Sequence, residues 1–204
     1  MTTAPAKPRY TPEDLLTMED AIYELLDGEL VERAVSRRSS ETAGQCLYEF
    51  NGYLRQNPIG EAYAPDMTIA IFPDPNRARR ADVSFVRNER LPREDFGVLR
   101  IAPDLVVEVM SPSNSGSAMR AKVDEWLDAG VREVWVLYPG AREAYIYRSD
   151  AKPRVLIADD DIETPDILPA FARRSAISSR RGRRRLRAAR MLKAYAWRDP
   201  AGPR

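Results

Sequence analysis

The sequence predicts an α/β domain with a mixed β-sheet flanked by helices. Three observations carry this. Helix-like and strand-like apolar periodicities succeed one another in the order helix, three strands, helix, strand. A hairpin signal precedes that block, and one more strand follows it. The run PDLVVEVMSPS, residues 103–113, is apolar and rich in β-branched residues, as a buried strand would be, with Glu108 in its middle. A lone charge in a low-dielectric interior is costly, so Glu108 needs a partner.

Taken in order, Thr11-Pro12-Glu13-Asp14 opens a short helix, with a capping Thr, Pro in the first turn and then acids. In YELLDGELVER, Asp27-Gly28 between two short apolar-containing runs marks a hairpin. Ala43, Leu47, Phe50 and Leu54 recur at helical spacing, which predicts a helix over about residues 40–56, ending before Asn57-Pro58. Cys46 lies on or beside that face and reads as a small core residue. Strands are expected over 62–72, where Met67, Ile69 and Ile71 alternate, then over 81–86 and 104–110. The helix in GSAMRAKVDEWLDAG buries Met119, Val123, Trp126 and Leu127 and stops at Gly130. EVWVLYP and EAYIYRS then read as strands joined through Pro139-Gly140.

The chain has 204 residues, which suits one domain over 1–172 and a basic tail over 173–204. Hydrophobic residues make up 44%, enough for a core. No apolar run approaches the roughly 20 residues of a membrane span, and MTTAPAKPRY lacks the apolar segment of a secretory signal. A cytoplasmic protein with no membrane partner is expected. With one cysteine there is no intramolecular disulfide framework.

The absence of histidine removes much of the enzyme repertoire. Serine–histidine–aspartate hydrolysis, cysteine–histidine chemistry and histidine-rich zinc sites all need imidazole. Neither GxxxxGK[ST] nor GxGxxG occurs. Carboxylate chemistry with a hard cation such as Mg²⁺ remains. Strand side chains alternate, so Asp104, Val106, Glu108 and Met110 share a face of their strand, and Asp82, Ser84 and Val86 share a face of the preceding one. If those strands are neighbours, Asp82 and Glu108 point the same way. Two close carboxylates repel unless one takes up a proton or a cation sits between them. The competing reading is an ion pair of Glu108 with an arginine, Arg80 or Arg120. Lys122 falls about 40° from Trp126, at the edge of the buried stripe; it can reach toward Glu108 or snorkel at the surface.

YELLDGELVE, RRADVSFV, APDLVVEVMSPS and KVDEWLDAGVREVWVLYP, in that order, resemble the Uma-type restriction endonuclease family, itself similar to the PD-(D/E)xK nucleases. The likeness covers roughly residues 10–148, and LPAF at Leu168 resembles the family's closing segment. It implies a restriction-endonuclease-like core and Mg²⁺- or Mn²⁺-dependent hydrolysis of phosphodiester bonds in nucleic acid, DNA above all, with a homodimer as an open assembly. By resemblance, Asp82 is the first acidic ligand and Glu108 the acid of the second half-motif, with the Val109 carbonyl completing the metal's protein ligands. Met110 stands where the usual nuclease lysine would be, and Lys122 matches a lysine migrated to the next helix. Glu24 resembles a further acidic residue; otherwise it is a solvated strand charge. Asp104 reads as a strand-entrance cap and a minor candidate. Ser39-Ser40-Glu41 replaces a segment that often carries histidine, and Ser117-Ala118-Met119 one that often carries aspartate. A module that keeps this fold to bind nucleic acid or regulate, without catalysis, is the alternative.

From Ile167 onward there are twelve basic residues and one acid, Asp199. Of the totals of 32 and 31, that leaves 20 basic and 30 acidic residues in 1–166, an acidic body. The basic run reads as a solvated segment, as an electrostatic DNA tether, or as an out-of-frame reading of a GC-rich gene.

Overall fold

The computed structural model describes residues 10–93, 97–112, 114–157, 160–169 and 171. The expected tail over 173–204 lies outside the described residues. A 3-10 turn, Asp14–Thr17, leads into a hairpin of β1 (Tyr23–Leu26) and β2 (Glu29–Glu32). Helix α1 (Arg37–Leu54) follows, then β3 (Gly60–Tyr63), β4 (Val83–Arg87) and β5 (Leu105–Val109). Helix α2 (Gly116–Asp128) connects β5 to β6 (Glu133–Tyr138), and β7 (Glu143–Arg148) and β8 (Ala151–Ile157) complete the set. Strands β3 to β8 form one sheet in sequence order; β5 and β6 are parallel and every other pair is antiparallel. Helix α2 is the crossover that a parallel pair requires.

The sheet is covered on both faces. Ala43, Cys46, Phe50 and Tyr53 of α1 pack on Phe85, Leu105, Val107, Val109 and Trp135, and Phe50 meets Trp135 edge-on at 5.7 Å. Met119, Val123 and Trp126 of α2 pack on Val86, Val106, Val134 and Val136. Cys46 is fully buried in the first cluster, where burial pushes its thiol up, so it is a core residue. The β4–β5 register pairs Val83 with Val107. Its continuation by one residue sets Asp82 opposite Glu108, on the α2 side.

Several boundaries differ from expectation for physical reasons. The 3-10 turn replaces the short helix, and it is Asp14 Oδ2 that accepts from the Thr11 backbone N–H, at 2.7 Å, rather than Thr11 capping forward. Helix α1 starts at Arg37 because Ser36 and Ser39 form a reciprocal capping box, each side chain accepting from the other's backbone N–H at 3.1 Å. The strand expected over 62–72 is a correction: the ladder ends at Tyr63, where Pro65-Asp66 turns the chain, and Ile69 makes only isolated bridges to Arg79 and Leu99. The alternation of Met67, Ile69 and Ile71 reflects packing under α2. Strand β8 carries no strand signal in AKPR. Its Pro153 is tolerated because β8 is an edge strand. At the hairpin, Asp27 (φ 55°) and Gly28 (φ 80°) both take the positive φ that a two-residue turn needs. No helix among the described residues is long and apolar enough to cross a membrane.

Gly60 is required by close approach. A Cβ there would collide with the Val86 carbonyl oxygen and stand 2.6 Å from the Phe85 ring. Gly60→Ala is expected to destabilise the fold by about 2 kcal/mol or more, read as a lower denaturant midpoint at unchanged m-value. An unchanged midpoint would mean that β3 moves off β4 without cost.

Candidate functional site

Strand β5 is buried along its whole length. Val107 and Val109 face the α1 core, which leaves Glu108 facing α2. There, two residues one turn apart meet the same carboxylate: Trp126 Nε1 donates to Oε1 at 2.9 Å and Lys122 Nζ donates to Oε2 at 3.0 Å. Lys122 also donates to Glu24 Oε1 at 2.8 Å. Its side chain is only 12% exposed, so the snorkelling reading is corrected: from the edge of the buried stripe Lys122 bridges two buried acids. The arginines weighed as partners for Glu108 bond elsewhere. Arg80 donates to Thr68 Oγ1 and the Leu15 carbonyl; Arg120 pairs with Asp124 and lies over the Tyr147 ring.

Glu24 comes from β1, whose hairpin is docked by reciprocal backbone bonds between Leu25 and Ala78 at 2.8 and 2.9 Å. It is buried, which corrects the reading as a solvated strand charge. Besides Lys122, Oε1 accepts from the Arg80 backbone N–H at 3.2 Å, and Oε2 accepts from Arg79 Nη1 at 2.8 Å. Arg79 is held in turn by Glu125 of α2, through Nε at 3.0 Å and Nη2 at 2.7 Å.

Asp82 stands just before β4. Its Oδ2 accepts from the Val109 N–H at 2.6 Å, and its Oδ1 accepts from Arg33 Nη2 at 2.9 Å. The Val109 peptide is thereby fixed beside Asp82, while the Val109 side chain stays in the α1 core. Arg33 Nε lies 3.8 Å from Glu24 Oε1, so one guanidinium links Asp82 to Glu24. The structure therefore brings Glu24, Asp82, Glu108, Lys122 and the Val109 backbone into one connected group. Asp104 is apart, at the opposite end of β5, about 13 Å along the strand. It accepts from the Arg87 N–H and pairs with Arg90 and Arg132, as a strand-entrance anchor does.

The group's electrostatics divide its two deepest acids. Burial would raise the Glu24 carboxyl, but the charges of Lys122, Arg79 and Arg33 overturn this and hold it at about 2. For Glu108, burial is again the largest effect. With the neighbouring Asp82 and Glu24 charges it outweighs Lys122 and Arg33, so this carboxyl is raised. Among the described residues no three acid or thiol side chains form a ready-made metal cage. The Asp82–Glu108 pair still suits Mg²⁺ or Mn²⁺: such ions take one or two carboxylates and keep several waters for substrate oxygens to replace. A carboxylate pair in which one acid is raised by the other is the donor set that a divalent cation relieves.

Arg33, Arg79 and Trp126 were not anticipated as parts of the group. Trp126 had a readable signal, its spacing of four from Lys122. Arg33 and Arg79 had none, since each depends on where the hairpin docks.

The low carboxyl of Glu24 has a pH consequence. A depressed carboxyl stabilises the fold fully above its ordinary value of 4.5 and loses that contribution as pH falls toward about 2. The acid-limb contribution should be about 3 kcal/mol. In a Glu108→Gln background, which stops Glu108 titrating against it, Glu24→Gln should flatten unfolding free energy against pH between about 5 and 2. Parallel curves with and without Glu24 would remove the ion-pair account.

The curated proteins include no match to this chain. Among solved structures, the chain is similar to the crystal structure of "a putative nuclease belonging to DUF820" from Anabaena variabilis. The two share a TM-score of 0.72 and 18% identity, over 91% of this chain and 99% of that one. That likeness concerns the fold, a mixed sheet between helices. The model of the Uma2 family, described as "Putative restriction endonuclease", matches residues 12–177, a span that takes in the hairpin, both helices and every residue of the Glu24–Asp82–Glu108–Lys122 group. The chain thus belongs to the Uma2 family of restriction-endonuclease-like proteins.

Proposed function

We propose that this chain is a metal-dependent endonuclease that hydrolyses phosphodiester bonds in nucleic acid, DNA foremost. Asp82, Glu108 and the Val109 carbonyl would hold Mg²⁺ or Mn²⁺. The observation that carries the reading is the placement of Lys122 Nζ, shared between Glu24 and Glu108 at 2.8 and 3.0 Å, where the register sets Asp82 opposite Glu108. Membership of a restriction-endonuclease-like family supports nucleic acid as the substrate. When bound, the ion supplies polarisation of the scissile phosphate and a water acidic enough to attack. Lys122 stabilises the charge that develops on the phosphate oxygens and orients the water. Glu24 is the positioning residue: it accepts a second hydrogen bond from the ammonium that Glu108 holds. Trp126 holds the Glu108 carboxylate in its rotamer and excludes water from that oxygen.

The direct experiment is cleavage of duplex DNA, single-stranded DNA and RNA with Mg²⁺, Mn²⁺ or EDTA. Metal-dependent cutting that Asp82→Ala abolishes, together with metal binding, is expected. Nucleic-acid binding without turnover under either metal would instead assign a non-catalytic binding module.

Two variants test the assigned roles. Lys122→Met should lower turnover by roughly 10²-fold or more, the scale of one lost charge-stabilising donor, and Lys122→Arg should rescue poorly. Because Lys122 neutralises two buried acids, Lys122→Met will also cost stability, so turnover is compared on protein shown to be folded. Glu108→Gln tests the proposed metal ligand itself. Its volume still fits and its carbonyl can keep the Trp126 contact, but its NH2 then faces the Lys122 ammonium, so cleavage should be lost and the thermal midpoint should fall modestly on protein that still folds. Cleavage retained in folded Glu108→Gln would remove Glu108 from the metal-binding set.

A further inference from the structure

One donor in the group has no counterpart. Arg33 Nη1 is buried and has no hydrogen-bond partner among the described residues, although Nη2 of the same guanidinium holds Asp82 at 2.9 Å. Buried donors are rarely left unmade, and such an atom calls for an explanation. Each acid around it already has a cation: Arg33 lies on Asp82, Arg79 on Glu24 and Lys122 on Glu24 and Glu108, with Glu125 holding Arg79 from α2. A divalent cation arriving beside Asp82 and Glu108 therefore meets the Arg33 guanidinium on Asp82 itself.

The three cations are not equally fixed. Arg79 has Glu24 on one side and two hydrogen bonds to Glu125 on the other. Lys122 has close bonds to two carboxylates. Arg33 has one close bond, to Asp82, and a longer approach of 3.8 Å to Glu24. Its backbone is anchored just past β2 by a bond from its N–H to the Ile22 carbonyl at 2.8 Å, so the long side chain can swing from a fixed base. A phosphodiester offers the planar guanidinium a pair of oxygens, one of which would satisfy Nη1.

We propose that Arg33 is an exchangeable counter-ion: it neutralises Asp82 in the free protein and passes to a non-bridging phosphate oxygen when metal and nucleic acid enter. Metal and phosphodiester then bind cooperatively, and the free protein binds metal weakly. This rests on the metal-dependent nuclease reading and adds to it a residue that contacts substrate.

The test is calorimetric titration of Mn²⁺ into the full chain without nucleic acid, for wild type and Arg33→Gln, followed by steady-state cleavage of a DNA duplex at saturating Mn²⁺. Arg33→Gln should bind Mn²⁺ about tenfold more tightly, the scale of removing one like charge at a few ångströms, yet show kcat/KM lower by about 10²-fold. A merely structural ion pair would give equal or weaker Mn²⁺ binding in Arg33→Gln, which would overturn the proposal and leave the nuclease reading in place. Absence of Mn²⁺ binding in both proteins would overturn both. Arg33→Lys guards against a Gln variant that does not fold. It keeps the charge, so Mn²⁺ affinity should stay within about threefold of wild type, while loss of the planar fork lowers kcat/KM tenfold or more. Full kcat/KM in Arg33→Lys would overturn the proposal.

Discussion

The Lys122–Glu108 contact is the interaction on which the rest of the arrangement depends. Glu108, a carboxylate well inside a sheet covered on both faces, is almost wholly inaccessible. It can exist as an ion only if the covering helix supplies the compensation. Helix α2 supplies it with two side chains one turn apart, an indole N–H for one oxygen and an ammonium for the other. The ammonium then has donors to spare and takes Glu24 as well. One residue thus keeps three elements, β1, β5 and α2, in a fixed relation. Removing it would leave two buried acids facing each other.

The same charges hold the hairpin in place. Strands β1 and β2 pair only with each other as a ladder, outside the main sheet. Their attachment is the Leu25–Ala78 bridge, a small apolar cluster around Leu15 and Leu25, and a line of ion pairs. Arg77 joins Asp27 to Glu125, and Arg79 joins Glu24 to Glu125, so the hairpin is tied to α2 through two arginines and one shared acid. Two-stranded hairpins have little stability of their own. The group that forms the candidate site therefore also secures a structural unit, and ligands that rearrange its charges will be felt at the hairpin.

Much of this was legible in the sequence, because it follows from periods and local signals. Alternation along 104–110 put Glu108 on one face, and the 3.6-residue period put Lys122 beside the buried stripe with Trp126. Asp27-Gly28 fixed the hairpin. What could not be read depends on geometry beyond the local chain. The turn at Pro65 ended β3 early, although the apolar alternation ran on past it. Strand β8 exists because β7 offers it an edge, not because AKPR favours extension. The histidine-free segment at Ser39 became intelligible only with the capping box, which spends that serine on the start of α1. Arg33 and Arg79 sit far in sequence from the acids they meet, 49 residues in the case of Arg33 and Asp82 and 55 in the case of Arg79 and Glu24.

Burial of an acid does not by itself mark a site, and this sheet shows why. Three carboxylates on β5 and β6 or at their ends are almost wholly inaccessible: Asp104, Glu108 and Glu133. Asp104 is surrounded by a backbone N–H and two arginines, and no second acid is among its partners. Glu133 accepts from Trp135 Nε1 at 2.6 Å and pairs with Arg148. Each is a compensated charge that ties a strand end to its surroundings. Glu108 differs in its company: burial is the main reason its carboxyl is raised, and the nearby Asp82 and Glu24 charges add to it. The fold carries there an unfavourable concentration of negative charge that better-placed apolar residues would avoid. Perturbed carboxyls of this kind cluster at functional sites, and under the nuclease reading a divalent cation held by Asp82 and Glu108 would relieve this one. What separates Glu108 from Asp104 and Glu133, which are equally buried, is the pair of acids gathered beside it, Asp82 and Glu24.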